Sequence, residues 1–449
     1  MGKIALVSIV GKEDKGLKLE KADYTKLAKL NFYKSRDATD VSLHKYTNAL
    51  KQLGLKPSEI AMDLLIISCS MYAADIRISR SEFAEDGWTR QIELFIPVSN
   101  VALWNKQKSI LEKIFRFLSG DIWILNFRAR AGKNLVLSPI PTKQYKAYKM
   151  PYATDTVCLF SGGMDSFIGA VDLLSKGITP LLVGHSKSSD VAPYQEKCET
   201  ALKSQFPKSP VKRIGAFIRI PKENLFDSSE NSERGRSFLF LSLGAICGST
   251  LGKKSKLIVP ENGLISLNIP LTPLRIGSHS TRTTHPHYLG MMQTLINGLN
   301  LGVEIVNPYQ FKTKGEMLAE CASPSFVAKT ETMSCSHPSG RYAGLANGHC
   351  GYCVPCIIRQ ASFKKAGLKD PYSYRTDIFA TKGVKISQAE GADVGAFKYM
   401  IEKLKRNPNY LTTAIRNTGP LGNDVSAYID VYKRAMAEVE TLLKTVKTV

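Results

Sequence analysis

The sequence predicts an α/β protein with a doubly wound parallel sheet at its centre, a smaller α+β unit before it and a helical extension after it. From Thr156 onward, short apolar segments alternate with segments of helical length, which is the pattern of successive βαβ units. At 449 residues the chain also exceeds the usual size of one hydrophobic core, so two or three domains are expected.

The first unit, residues 1–150, contains apolar runs that indicate strands. Strands are predicted at residues 4–10, 64–69, 91–97 and 122–127, with an amphipathic helix at 104–118. Trp88, Trp104 and Trp123 are interpreted as core or interface aromatics rather than base-stacking residues. Residues 138–151 have the composition of an interdomain linker.

The second unit, residues 151–368, carries the βαβ pattern. Its predicted strands are 156–160, 180–183, 213–220, 256–260 and 302–306, and its clearest helices are 167–174 and 238–251. Ligands of such sheets bind at the carboxyl ends of the strands. The third unit, residues 369–449, contains two amphipathic patterns, with apolar faces around Phe397 and Tyr432.

The composition is that of a folded protein, with 43% hydrophobic and 22% charged residues. Neither a signal peptide nor a membrane-spanning segment is predicted, so a cytoplasmic location is expected. The net charge of +22 allows nucleic acid, a phosphate-rich ligand or an acidic protein as partner. Because the lysines are spread along the chain, a solvated basic surface is favoured over a nucleic-acid-binding stripe.

The segment Ser161-Gly162-Gly163-Met164-Asp165-Ser166 connects a predicted strand directly to a helix. Glycines let the backbone approach an anion, and the hydroxyls and free amides at a helix start can bind phosphate oxygens. Asp165 suits a site where Mg²⁺ accompanies ATP. A simple strand–turn–helix connection with a capping residue is the alternative.

Four cysteines form a second cluster, spaced Cys335-x14-Cys350-x2-Cys353-x2-Cys356. Four thiolates can close a tetrahedron around Zn²⁺, which leaves no open position and predicts a structural metal. An iron–sulfur cluster and chance surface cysteines are the alternatives, and His337 or His349 could replace one cysteine. The other five cysteines lie in apolar segments, which predicts reduced thiols.

The Ser-Gly-Gly-x-Asp-Ser loop resembles the signature of the PP-loop ATP pyrophosphatases, which cleave ATP between the α and β phosphates. The order of motifs resembles the 7-cyano-7-deazaguanine synthase (QueC) family over about residues 156–363. These motifs are the loop, then Gly235-Arg236, Thr313-Lys314-Gly-Glu316, Ser334-Cys335 and the Cys-x2-Cys-x2-Cys-x2-Arg359 run. The resemblance implies a PP-loop (HUP-like, adenine nucleotide α-hydrolase-like) fold with a zinc knuckle.

This resemblance implies that ATP adenylates 7-carboxy-7-deazaguanine, and that the loop residues Ser161, Gly162, Gly163, Met164, Asp165 and Ser166 bind ATP. Asp165, Arg236, Lys314 and Arg359 are the implied catalytic residues, because cations stabilise charge on a transferring group. Each of the three cations could instead be a salt-bridge partner. ATP, Mg²⁺ and Zn²⁺ are the implied cofactors.

The sequence departs from the family where its members have a Tyr-Pro-Asp-Cys-Arg-like substrate segment. Here the chain has Glu261-Asn262-Gly263 and a Ser/Thr/His/Arg-rich stretch ending at His287. The acceptor pocket is therefore expected to be remodelled. The candidate substrate-binding residues are Asn262, Gly263, His279, Arg282 and His285.

The added flanking units, with motifs at residues 72–77, 88–90 and 96–98, resemble QueC-like proteins of the Qat anti-phage defence system. This predicts amide formation with the N-terminal amine of a partner protein, and other proteins of the defence operon as partners. A nitrile-forming synthase that uses ammonia is the second hypothesis. A catalytically idle nucleotide-binding scaffold is the third.

Overall fold

A computed structural model gives the fold of the chain. It describes residues 2–11, 13–32, 41–84, 86–132, 153–186, 191–221, 225–226, 229–230, 232–252, 254–272, 282–339, 348–380 and 382–449. The predicted linker at 138–151 and the candidate residue His279 lie outside these ranges.

The N-terminal unit is built on a four-stranded sheet in the order β2-β1-β3-β4, and all its strands are parallel. The strands are β1 (Lys3–Val10), β2 (Lys26–Phe32), β3 (Gln91–Val98) and β4 (Ile122–Ala129). Its helices are α1 (His44–Gln52), α2 (Glu59–Arg77), α3 (Arg80–Phe83) and α4 (Val101–Ser119). The unit is therefore α/β, whereas the sequence predicts α+β.

Helix α2 corrects one strand prediction, because residues 64–69 are helical. Ser58 begins the helix by accepting a hydrogen bond from the Ala61 amide, and every residue from 61 to 75 is buried. The helix packs between the first sheet and a helix of the second unit, so it is buried on all sides and largely apolar. A short apolar run alone does not distinguish a buried strand from such a helix.

The second unit contains a five-stranded parallel sheet in the order β7-β6-β5-β8-β9. All five predicted strands are confirmed, as β5 (Thr156–Leu159), β6 (Leu181–Ser186), β7 (Lys212–Phe217), β8 (Ser255–Ile258) and β9 (Val303–Val306). The order reverses between β5 and β8, which places the topological switch point at the carboxyl end of β5.

Eight helices of the described residues accompany this sheet. They are α5 (Met164–Ser175), α6 (Ala192–Gln205), α7 (Arg236–Gly248), α8 (Gly263–Leu267), α9 (Pro286–Gly298), α10 (Lys314–Glu320), α11 (Pro324–Lys329) and α12 (Val354–Ala366). The two sheets share one continuous core, in which α2 packs on α7 and α4 on α9. Tyr46 of α1 donates a hydrogen bond across this core to the Leu243 carbonyl at 2.9 Å.

The C-terminal part contains α13 (Ala389–Arg406), α14 (Tyr410–Arg416) and α15 (Val425–Leu443). The first and last confirm the two predicted helices. Helix α15 packs against α8, α10 and α12 of the second unit as well as against α13 and α14. No helix among the described residues combines the length and apolarity needed to span a bilayer.

Candidate functional site

The predicted phosphate loop joins β5 to α5 at the switch point of the second sheet. Gly162 has a φ of +82°, which only glycine adopts without strain. A β-carbon at this position would also lie 3.0 Å from the backbone nitrogen of Gln195. The sharp bend therefore needs glycine for both its conformation and its space.

The polar groups of the loop face one another. The Ser161 and Ser166 Oγ atoms lie 3.2 Å apart, and the Gly163 amide donates to Ser161 Oγ at 3.3 Å. Gly163 is the N-cap of α5 and makes no side-chain capping bond, so the helix start relies on other partners for its first amides. Serine hydroxyls and helix-start amides at one bend are groups that bind phosphate oxygens.

The loop forms one wall of a pocket of about 210 Å³. Ser161, Gly163, Met164, Asp165 and Ser166 contribute to this wall. The remaining lining residues come from the segment that follows β8, from the start of α10 and from the segments around the cysteines; they are Pro260, Glu261, Ile265, Lys314, Met333, Ser334, Pro355 and Ile358. The pocket thus lies where the fold class predicts a ligand.

Asp165 is the electrostatic centre of the pocket. Its Oδ1 lies 2.6 Å from Lys314 Nζ, and its Oδ2 accepts a hydrogen bond from Asn262 Nδ2 at 2.7 Å. Burial raises the pKa of this carboxyl, but Lys314 and the hydrogen bonds from Glu261 and Asn262 outweigh burial and lower it. The structure therefore brings together three of the predicted site residues, with Lys314 and Asn262 in contact with an ionised Asp165.

Glu261 is a pocket residue that the sequence predictions did not select. It follows β8, the neighbour of β5, and its Oε1 accepts a hydrogen bond from Asn262 Nδ2 at 3.1 Å. Burial and the neighbouring Asp165 raise the pKa of Glu261 well above its usual value. Its position directly after a buried strand was the available signal, because carboxyl ends of parallel strands meet at one edge.

Two predicted catalytic arginines do not line this pocket. Arg236 begins α7, is 39% exposed and lies 4.0 Å from Glu233. Arg359 is fully buried: it donates to Asp370 through Nε at 2.9 Å and Nη2 at 3.1 Å, and to Thr332 Oγ1 at 2.7 Å. These contacts of Arg359 are those of a buried ion pair that holds α12 in place.

The predicted substrate residues are divided between two places. Asn262 binds Asp165, and Gly263 begins α8 beside it. Arg282 instead donates to the Phe117 carbonyl at 3.0 Å and stacks on the Phe117 ring. His285 is fully buried, accepts from the His287 amide through Nδ1 and contacts Thr418 Oγ1 at 2.9 Å through Nε2. Burial lowers the pKa of His285 to about 3, so the ring is neutral.

The four clustered cysteines converge as the spacing predicts. Their sulfurs all lie within 4.8 Å of one another, with Cys335–Cys353 and Cys350–Cys356 separations of 3.9 Å. Zn–S bonds of about 2.3 Å in a tetrahedron place sulfurs about 3.8 Å apart. Backbone amides of His337 and Cys350 donate to Cys335 Sγ at 3.3 Å, which suits a thiolate. The group can hold a zinc ion.

All nine cysteines belong to the described residues, and none of them forms a disulfide. His349 uses its Nε2 to accept a hydrogen bond from the Ser334 amide at 3.2 Å. Because Met333 and Ser334 line the pocket and Cys335 follows them, the cysteine cluster anchors one wall of the pocket.

Comparisons with protein-family models and with curated proteins find no match to this chain.

Proposed function

We propose that the chain is an ATP-dependent ligase that adenylates a 7-carboxy-7-deazaguanine-type carboxylate and then forms an amide. The observation that carries the proposal is the Ser161–Ser166 loop at the switch point, with Lys314 and Asp165 paired beside it. The motif order that resembles the QueC family supplies the substrate class. The amine acceptor is proposed to be the N-terminus of a partner protein.

The loop has the features of a pyrophosphate site. Its bend leaves Ser161 and Ser166 hydroxyls and the start of α5 on one wall of the pocket. The dipole of this 12-residue helix adds positive potential where a leaving diphosphate would accumulate charge. In this role the loop lowers the barrier by binding charge that develops as the bond to the α-phosphorus breaks.

Lys314 supplies the positive charge that lines the pocket. In the structure it is paired with Asp165, and both side chains are less than 10% exposed. A phosphate oxygen that enters the pocket can take the place of one carboxylate oxygen at Nζ. The lysine would then stabilise the phosphoryl group during transfer, as lysines do in other phosphate sites.

Asp165 and Glu261 are the residues that fit a magnesium ion, because both present carboxyl oxygens to the pocket and Mg²⁺ prefers oxygen ligands. When bound together with ATP, Mg²⁺ neutralises phosphate charge. The raised pKa of Glu261 reflects burial beside an ionised Asp165, and a nearby cation would favour its carboxylate form.

The proposed reaction is balanced in two steps. A carboxylate oxygen of the substrate attacks the α-phosphorus, the bond from that phosphorus to the bridging oxygen breaks, and pyrophosphate leaves. An amine nitrogen then attacks the acyl carbon, the acyl–oxygen bond breaks, AMP leaves and the amine proton passes to a base.

Zinc at the four cysteines is proposed to be structural, because four sulfurs leave it no open position.

The test is to incubate the purified chain with labelled ATP, 7-carboxy-7-deazaguanine and ammonium, with and without the proteins of its operon. Mass spectrometry then identifies the products. AMP together with a deazaguanine adduct on a neighbouring protein supports the ligase. Free nitrile would instead identify a synthase, and absence of AMP under every condition would identify an idle scaffold.

A further inference from the structure

The C-terminal helix contacts the turn that carries the pocket lysine, Lys314. Lys314 is the first residue of α10, and Thr313 caps that helix with a capping box: Thr313 Oγ1 accepts from the Glu316 amide, and Glu316 accepts from the Thr313 amide at 2.9 Å. The direction of the Lys314 side chain therefore depends on how the residues around Thr313 are fixed.

Glu438 of α15 contacts this turn directly. Its carboxyl accepts hydrogen bonds from the Thr313 hydroxyl and from the Gly315 amide. A β-carbon at Gly315 would lie 2.6 Å from Glu438 Oε2, so the absence of a side chain there lets the carboxyl reach the backbone. The two bonded residues flank Lys314 on either side in the chain.

Helix α15 makes further contacts with the same region. Arg434 donates to Glu316 Oε1 at 2.6 Å and to the Phe311 carbonyl at 2.8 Å. Val431 packs on Gly263, where a β-carbon would lie 2.9 Å from its Cγ1. Helix α15 thus touches both segments that reach Asp165, the one with Asn262 and the one with Lys314.

We propose that Glu438 is a positioning residue that fixes Lys314 against Asp165, which makes the C-terminal helix a part of the nucleotide site. The effect on catalysis rests on the proposed function, whereas the effect on the position of Lys314 does not. Chains that carry only the central sheet and its helices would need another support for this lysine.

The contact depends on the charge of Glu438. The groups that face it are Glu316 of α10, Lys364 and Lys365 of α12, and Arg434 of its own helix. Burial raises the pKa of Glu438 to about 7; the hydrogen bonds from Thr313 and Gly315 oppose this rise, and Glu316 adds to it. Because those hydrogen bonds favour the carboxylate, the interaction between Glu438 and the turn at Thr313–Gly315 strengthens as the pH rises through about 7.

The first test measures the position of Lys314 without any activity. Acetic anhydride labelling of Lys314 is followed by mass spectrometry relative to the exposed Lys176, in the wild type, Glu438→Ala, Glu438→Gln and the control Glu440→Ala. Glu440 lies on the same helix and pairs with Lys405 at 2.7 Å. Glu438→Ala is expected to raise the relative labelling about tenfold or more, the factor that corresponds to losing one hydrogen bond to a charged group. Glu440→Ala should leave it unchanged.

The second test measures AMP release with ATP and 7-carboxy-7-deazaguanine between pH 6 and 8.5, a range of about two units around the pKa of Glu438. Glu438→Ala should lower kcat more than it changes KM. Glu438→Gln should recover most of the kcat that Glu438→Ala loses. In the wild type kcat should rise as the pH passes about 7, whereas Glu438→Gln should show no such rise. A purely structural residue would not produce this difference between the two pH profiles. Glu438→Gln also carries the test if the alanine variant does not fold.

Wild-type labelling of Lys314 in both Glu438 variants would overturn the positioning role. If the wild type releases no AMP while labelling responds as expected, the proposed function fails and the positioning role stands.

Discussion

Lys314 Nζ lies 2.6 Å from Asp165 Oδ1, and this ion pair joins the first turns of two helices, α10 and α5. A carboxylate in the first turn is favoured by the helix dipole, whereas a lysine there is not. Asp165 therefore compensates the unfavourable position of Lys314. The pair thus keeps the Lys314 cation at the start of a helix, in the pocket lined by the Ser161–Ser166 loop.

Replacing Asp165 by Asn should lower AMP release by about two to three orders of magnitude, because the side chain keeps its shape but loses the charge that holds Lys314 and fits Mg²⁺. AMP is measured by chromatography with labelled ATP. Circular dichroism checks that the fold is retained. Normal turnover by this variant would show that the loop is not the site of ATP cleavage.

Gly162→Ala tests the bend of the loop against a matched control. Gly162 and Gly177 have φ values of +82° and +76°, but only at Gly162 would a β-carbon meet neighbouring atoms, those of Gln195. Both variants should lose about 1 kcal/mol from backbone strain. Gly162→Ala should lose more in urea unfolding and should also weaken ATP binding in calorimetry. Equal losses and unchanged binding would contradict the proposed role of the bend.

Cys353→Ser tests the metal. The variant should bind less than half of the zinc of the wild type, on the order expected when one of four ligands is lost, and should unfold at a lower temperature. Cys321→Ser is the control, because Cys321 is also buried but lies outside the cluster. Elemental analysis of both proteins gives the metal content. If the protein is brown and contains iron with acid-labile sulfide, the four cysteines hold an iron–sulfur cluster and not zinc.

The sequence predicts the second sheet well because its strands are short, apolar and separated by amphipathic helices. It fails at residues 64–69, where a helix buried on all sides has the same apolar pattern as a buried strand. Strand β2 was also missed, since its lysines at positions 26 and 29 interrupt the apolar pattern.

The sequence predicts the geometry of the candidate site where it depends on local sequence, and does not predict the contacts that depend on packing. The bend at Gly162 and the cysteine spacing are local features, and both are found in the structure. The partners of Arg359 and His285 are not local: Asp370 and Thr418 reach them only through the folding of the C-terminal part. To predict Glu261 as a pocket residue, one must know which strand lies next to β5.

Arg359 distinguishes the predicted catalytic role from the ion pair in the structure. Arg359→Met should destabilise the protein by about 3–5 kcal/mol, because it leaves the Asp370 carboxylate without its cation in a buried place. The double variant Arg359→Met with Asp370→Leu should recover part of this loss, measured by urea unfolding. AMP release by the double variant near the wild-type rate would exclude a catalytic role for Arg359, whereas its complete loss would restore that role.

The pH dependence of stability should carry a contribution from Glu438. Its folded pKa of about 7 lies above the unfolded value of 4.5, so the folded state binds more protons between these pH values. The contribution is present below pH 4.5 and is lost as the pH rises toward 7, even though the ionised carboxyl holds the Thr313 turn more tightly. Glu438→Gln removes this titration. The wild type should therefore lose unfolding free energy relative to Glu438→Gln as the pH rises from 5 to 8. The corresponding difference between the wild type and Glu440→Gln should stay constant over this range. If the difference for Glu438→Gln is constant as well, Glu438 titrates normally in the folded protein.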